Sequence, residues 1–120
     1  QVLRSGTSIG ANVEEAIAVH NILGSSARRL VMLGDHSKGE RMRLYRTMAP
    51  DWKVPQYDSA ERFFEVAQSK GFAENPRNCW NLVRISRHGT VECRMFGVTP
   101  HIDEIMLWVN TIRSIVKGGA

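Results

Sequence analysis

Residues 78–117, NCWNLVRISRHGTVECRMFGVTPHIDEIMLWVNTIRSIVK, decide how this chain folds. Two runs, Trp80 to Ser86 and Thr90 to Phe96, are rich in branched and aromatic side chains and read as strands. Between them His88-Gly89 reads as a two-residue hairpin turn, because glycine tolerates the positive φ that primed turns demand. Thr99-Pro100 then supplies an N-cap and a proline at the first helical position. Ile102, Ile105, Val109, Ile112 and Val116 recur along one stripe of the helix that follows, which Gly118 ends. With the turn at His88-Gly89, Arg87 faces Thr90, Ile85 faces Glu92, Val83 faces Arg94 and Asn81 faces Phe96. One face then carries Trp80, Leu82, Val91, Cys93 and Met95 and turns toward the helices. The other carries Asn81, Glu92 and Arg94 among Val83, Ile85 and Phe96. Arg84 falls on the apolar face as the misfit of this register, and a turn changed by one residue would flip one strand and separate Asn81 from Glu92 and Arg94.

Upstream, the punctuation is helical. Asn12 with Glu15 reads as a capping pair opening a helix from Val13 to about Leu23, and Gly24 closes it. Ser25 or Ser26 caps a second helix through Arg28, Leu30, Val31 and Leu33, stopped by Gly34. A third runs from Glu40 to Met48, with Met42, Tyr45 and Met48 at helical spacing. Pro50 and Pro55 make residues 49–57 a loop, since proline lacks the donor and biases its predecessor toward extended geometry. Asp58 and Glu61 form a second capping pair, opening a helix that presents Phe63, Phe64, Val66 and Ala67 before Gly71. Glu74-Asn75-Pro76 is a turn. The expectation is an α+β chain: N-terminal helices, then a β-hairpin over about 80–96 covered by a C-terminal helix over about 100–117.

A chain of 120 residues makes one domain or part of one, long enough for a real core. It begins at Gln1, which predicts a processed chain or part of a longer one. Hydrophobic content of 42% and charged content of 23% are globular values that exclude global disorder. The longest apolar runs, such as Ile105 to Val109, fall far short of a bilayer, so no membrane segment is expected. Cys79 and Cys93 suit a reducing compartment, and the expected location is cytoplasmic. Sixteen basic residues against 12 acidic ones leave a net charge of +4, with Arg28, Arg29, Lys38, Arg41, Arg43 and Arg46 crowded into the first half. That asymmetry favours an anionic partner, whether nucleic acid, nucleotide or acidic surface.

A carboxylate and a guanidinium two residues apart on a strand can serve an anionic ligand jointly: Glu92 holds Mg²⁺ and Arg94 forks onto phosphate or carboxylate oxygens. The same spacing equally describes an ordinary ion pair on a solvated sheet face.

The combination of motifs resembles the amidoligases, a branch of the carboxylate-amine ligases with a glutamine-synthetase-like fold. That family shows an asparagine in an N-L strand, T-[VI]-E-x-R on the next strand, a G-T pair and an amphipathic helix with tryptophan. This chain has Asn81-Leu82, Thr90-Val91-Glu92-Cys93-Arg94, Gly97 and Thr99 around Val98, and Trp108, while Arg41 and Tyr45 in RMRLYRTM resemble the family's arginine and tyrosine element. The resemblance covers residues 38–117, an amidoligase-like C-terminal segment, and leaves 1–37 as a helical segment that it does not assign. The family's early acidic strands and histidine motif have no counterpart before Arg41. What the resemblance implies is an ATP-dependent ligase, activating a carboxylate as an acyl phosphate that an amine then attacks. By the same resemblance Glu92 and Arg94 are catalytic, Glu92 holds magnesium, Arg41 and Asn81 bind substrate or nucleotide, and ATP with Mg²⁺ is the cofactor pair.

Residues 1–16, QVLRSGTSIGANVEEA, are similar to a signature of small four-helix-bundle proteins encoded in ribosomal RNA intervening sequences. The alternatives to a ligase are a basic module that contacts nucleic acid through Arg28, Arg29, Lys38, Arg41, Arg43 and Arg46, and a non-catalytic structural or interaction protein. The four histidines lack the spacing of a zinc site, and Trp52, Trp80 and Trp108 read as core or core-edge residues.

Overall fold

A computed structural model describes residues 13–86, 90–96 and 99–119. Five helices surround one two-stranded antiparallel hairpin: α1 (Val13–Ser25), α2 (Ala27–Gly34), α3 (Glu40–Met48), α4 (Ala60–Ser69), β1 (Val83–Ile85), β2 (Val91–Cys93) and α5 (Ile102–Gly119). The chain is α+β, as its punctuation predicts. Asn12 of the first capping pair, the turn at His88-Gly89 and residues 1–12 of the 1–16 signature lie outside the described residues.

Helix α1 is the central element because Ala16, Val19, His20 and Leu23 form one stripe at helical spacing, and all four are buried. That stripe packs on β1 and α5, with α4 and α2 alongside. The main core joins it to Leu30 of α2, Met42 of α3, Leu82, Val83, Val91 and Met95 of the hairpin region, and Ile112 of α5. A second, smaller core gathers Ala67 and Phe72 with Cys79, flanked by Phe63 and Val66. Tyr57 bridges the two: its ring stacks on His20 at 5.0 Å and meets the edge of Phe63 at 5.1 Å.

Besides the start of α5, at Ile102 rather than at Pro100 after a Thr99 cap, three local readings differ from the structure. The cap of α4 is Ser59, whose hydroxyl accepts from the Arg62 amide at 3.1 Å; Asp58 sits one residue too early to reach the N3 donor. Helix α5 keeps the expected stripe at Ile112, with Val109 and Val116 half-buried, and departs from it near the helix start. Trp108 and Ile112 are buried, while Ile102 is 66% exposed and Ile105 is exposed too, because the indole stacks on Phe96 at 5.0 Å and turns that side of the helix inward.

The third difference is the hairpin register. Val83 pairs with Cys93, Arg84 with Glu92 and Ile85 with Val91, one residue away from the pairing expected of a two-residue turn. Ser86 and Thr90 continue the ladder, the Ser86 amide donating to the Thr90 carbonyl at 2.8 Å, so three residues connect the strands. Energy explains the choice. The expected register sets Arg84 among apolar side chains, where an unpaired guanidinium is strongly disfavoured. The observed one puts Arg84 beside Glu92 on the polar face and turns Val83, Ile85, Val91 and Cys93 to the other.

Candidate functional site

The polar face of the hairpin carries Glu92 with Arg84, and Arg94 follows Glu92 two residues on. Arg84 Nε donates to Glu92 Oε1 at 2.7 Å, and Arg84 Nη1 also reaches the carbonyls of Cys79 at 3.3 Å and Pro76 at 3.4 Å. Arg84 thereby clamps the 3₁₀ turn Pro76–Asn78 to the strands, and the half-buried Glu92 carboxylate has one oxygen committed to it. Arg94 lies just past β2, its amide donating to the Leu82 carbonyl at 2.7 Å. Its guanidinium stands 5.3 Å from the centre of the Trp80 ring. Among the described residues no carboxylate lies within ion-pair distance of Arg94.

Glu92 and Arg94 are therefore neighbours with different partners. Arg41, on α3, turns inward: its Nη1 donates to the Met95 carbonyl at 2.6 Å and its Nη2 to the Arg94 carbonyl at 3.2 Å. Asn81 sends its amide to the carbonyls of Asp51 and Lys53, and its oxygen accepts from the Cys79 thiol at 3.2 Å. Tyr45, one helical turn beyond Arg41, donates its hydroxyl to the Trp80 carbonyl at 2.7 Å. Arg41 fastens the backbone that presents Arg94, whereas the observed register separates Asn81 from Glu92 and Arg94: Asn81 is nearly buried and holds the 51–53 loop instead.

The field there is positive. Burial pushes the Tyr45 hydroxyl up from its ordinary pKa, while the guanidiniums of Arg94, Arg84 and Arg41 pull against it. Burial likewise raises the Cys79 thiol, opposed by its link to Asn81 and by Arg84 and Arg94. Cys93 is pushed up to about 12 by burial, so it is a neutral packing thiol. Among the described residues no group of three or more His, Cys, Asp and Glu side chains could hold a metal ion.

Two features escape sequence reasoning. Arg84, the apparent misfit, is the partner that fixes Glu92, and its awkward placement was the signal that the register needed one more turn residue. Trp80 is 47% exposed rather than packed on the helices, a direct result of the shifted register. The basic cluster of the first half is not a single face: Arg41 points inward, Arg43 is paired with Glu40 at 2.6 Å, and Arg46 lies 4.9 Å over the Trp52 ring. No helix among the described residues is long and apolar enough to cross a membrane. No family model, curated protein or solved structure matches the chain.

Proposed function

We propose that this chain is the hairpin-bearing segment of an amidoligase-like enzyme, which joins a carboxylate to an amine using ATP. The observation that supports it is Arg94: a guanidinium held over Trp80, beside Glu92, with no carboxylate of its own among the described residues. A migrating phosphoryl group needs fixed positive charge, and a guanidinium already neutralised supplies little. Arg84 keeps the Glu92 carboxylate in place from one side. Its second oxygen faces the requirement of a magnesium nucleotide, which takes one or two carboxylates and completes its shell with phosphates and water. Glu92 fits as one such ligand, and the metal, when bound, offsets charge on the phosphates. In this reading Arg94 binds the anionic group, Arg41 and Asn81 position the segments beneath it, and the amide forms when the amine displaces phosphate from the activated carboxylate.

Thermal unfolding with and without Mg-ATP tests the reading. A ligand about ten-fold above its Kd adds about 1.4 kcal/mol by mass action, or roughly 5–6 °C in Tm for a chain of this size. The expected result is that shift in the native chain and none in Arg94→Ala. No shift in the native chain, or an equal shift in both, refutes the assignment.

A further inference from the structure

Two tryptophans of this molecule carry cations on their rings. Arg94 lies over Trp80, and Trp52 has Arg46 at 4.9 Å and Lys53 at 5.7 Å from its ring centre. The two units belong to one stretch of surface. Tyr45 of α3 bonds the Trp80 carbonyl while the next residue, Arg46, covers Trp52. The Leu82 amide donates to the Trp52 carbonyl at 3.1 Å, and Asn81 bonds the carbonyls on either side of Trp52. Among the described residues none of Arg46, Lys53 and Arg94 has a carboxylate within ion-pair distance. Of the acidic residues in these segments, Asp51 and Glu92, the second is already paired with Arg84.

We propose that this surface binds single-stranded nucleic acid, with a base stacked at the exposed Trp80, phosphates met by Arg46, Lys53 and Arg94, and the core-packed Trp52 holding Arg46 and Lys53 in place. Aromatic faces interleaved with cations are what an unpaired strand offers partners for, since its bases present free π faces and its backbone repeats negative charge. A duplex hides those faces, and an acidic peptide has no use for them. The guanidinium on Trp80 does not block the platform: bases stack on guanidinium planes as they do on rings. The site differs from the basic cluster that composition suggests, because only Arg46 is common to both, and it requires neither ATP nor magnesium, so its failure and that of the ligase reading are separable.

Fluorescence anisotropy of a labelled oligothymidylate of about twelve nucleotides, titrated with the full chain in magnesium-free buffer, tests it. Three phosphate contacts predict a slope of log K against log salt near −2, hence roughly 20-fold weaker binding at 200 mM than at 50 mM salt. Trp80→Ala should weaken binding about ten-fold and Trp80→Phe much less. Arg94→Gln, which leaves the backbone bond to Leu82 in place, should reduce the slope by about 0.7. Circular dichroism of each variant establishes that it is folded. The proposal is overturned by no binding at 50 mM salt, by equal affinity for a duplex of the same length, or by competition from ATP as effective per nucleotide as from the strand. It is equally overturned if Arg28→Gln with Arg29→Gln weakens binding while the Trp80 and Arg94 variants do not.

Discussion

Replacing Asn81 with aspartate separates a structural role from a ligand-binding one. Asn81 is nearly buried, and its amide nitrogen is the donor for two carbonyls, those of Asp51 and Lys53. Asn81→Ala removes both bonds, and at about 1 kcal/mol each the loss is about 2 kcal/mol. Asn81→Asp also turns an acceptor toward two acceptors, so at neutral pH it should cost more, about 3 kcal/mol. The sign of the pH dependence follows. The new carboxyl has a folded pKa raised above its unfolded value of about 3.9, so the folded state takes up the proton first as pH falls. Once protonated it can donate one of the two lost bonds, and the deficit relative to the native chain shrinks at acid pH. Urea unfolding of the native chain, Asn81→Ala and Asn81→Asp at pH 7.5 and pH 4.5 measures this, each variant compared with the native chain at the same pH. Equal cost for the two variants at both pH values, or a cost under about 0.5 kcal/mol for either, refutes the reasoning.

Other substitutions probe separate contacts. An alanine at Gly34 would set its Cβ 2.5 Å from Phe96 Cδ1 and 3.1 Å from Phe96 Cα, so Gly34→Ala should cost about 1–3 kcal/mol, and less when Phe96 is already alanine; strictly additive costs in chemical denaturation would sink that account. Gly39→Ala should cost only about 1 kcal/mol, because the site is open and the penalty is its φ of +91 alone, as equilibrium unfolding will show. Arg84→Met should destabilise by about 1–3 kcal/mol, whereas Glu92→Gln should cost under about 1 kcal/mol, since Arg84 also bonds two carbonyls and the half-buried Glu92 is the more exposed of the pair; the reverse order in denaturation midpoints would contradict the clamp. His20 is buried, and burial lowers its pKa against the opposing pull of its contacts with Asn21 and Val83. The unfolded chain therefore binds a proton first, stability falls as pH drops below about 6.5, and His20→Leu should flatten the stability profile below that pH.

The helices were legible because their ends are chemically marked: α3 runs from Glu40 to Met48, the bounds its sequence suggests, and Gly71, with φ of +80, closes the segment after α4. The hairpin and its following helix were legible as elements. Register was not, because His88-Gly89 satisfies a two-residue turn locally, while the choice is made by where Arg84 finds a partner across the strands. The departure of α5 from its stripe was hidden for a similar reason: five aliphatic residues make a convincing stripe, yet the stack of Trp108 on Phe96 outweighs two isoleucines near the helix start. Arg41, Asn81, Glu92 and Arg94 could be nominated from sequence, but their partners lie up to 54 residues away, and only packing decides which side chains meet backbone and which meet solvent.

That division has a cause in the strands. β1 and β2 are three residues each, so the flanking carbonyls of Cys79, Trp80, Arg94 and Met95 lie beyond the paired ladder. Backbone acceptors of a partly buried segment need donors, and here long polar side chains provide them: Arg84 for Cys79, Tyr45 for Trp80, Arg41 for Arg94 and Met95. Arginine, tyrosine and asparagine therefore gather around the hairpin whether or not a ligand binds, and motif residues of this kind serve the fold before they serve chemistry. Arg94 is different: its backbone is fastened by others, and its own guanidinium is spent on no carbonyl or carboxylate among the described residues. Substituting Arg41 should lower activity and stability together, whereas substituting Arg94 should lower ligand binding with stability nearly unchanged. A loss of activity at Arg41 alone consequently says little about the site, and the weight of any functional assignment rests on Arg94.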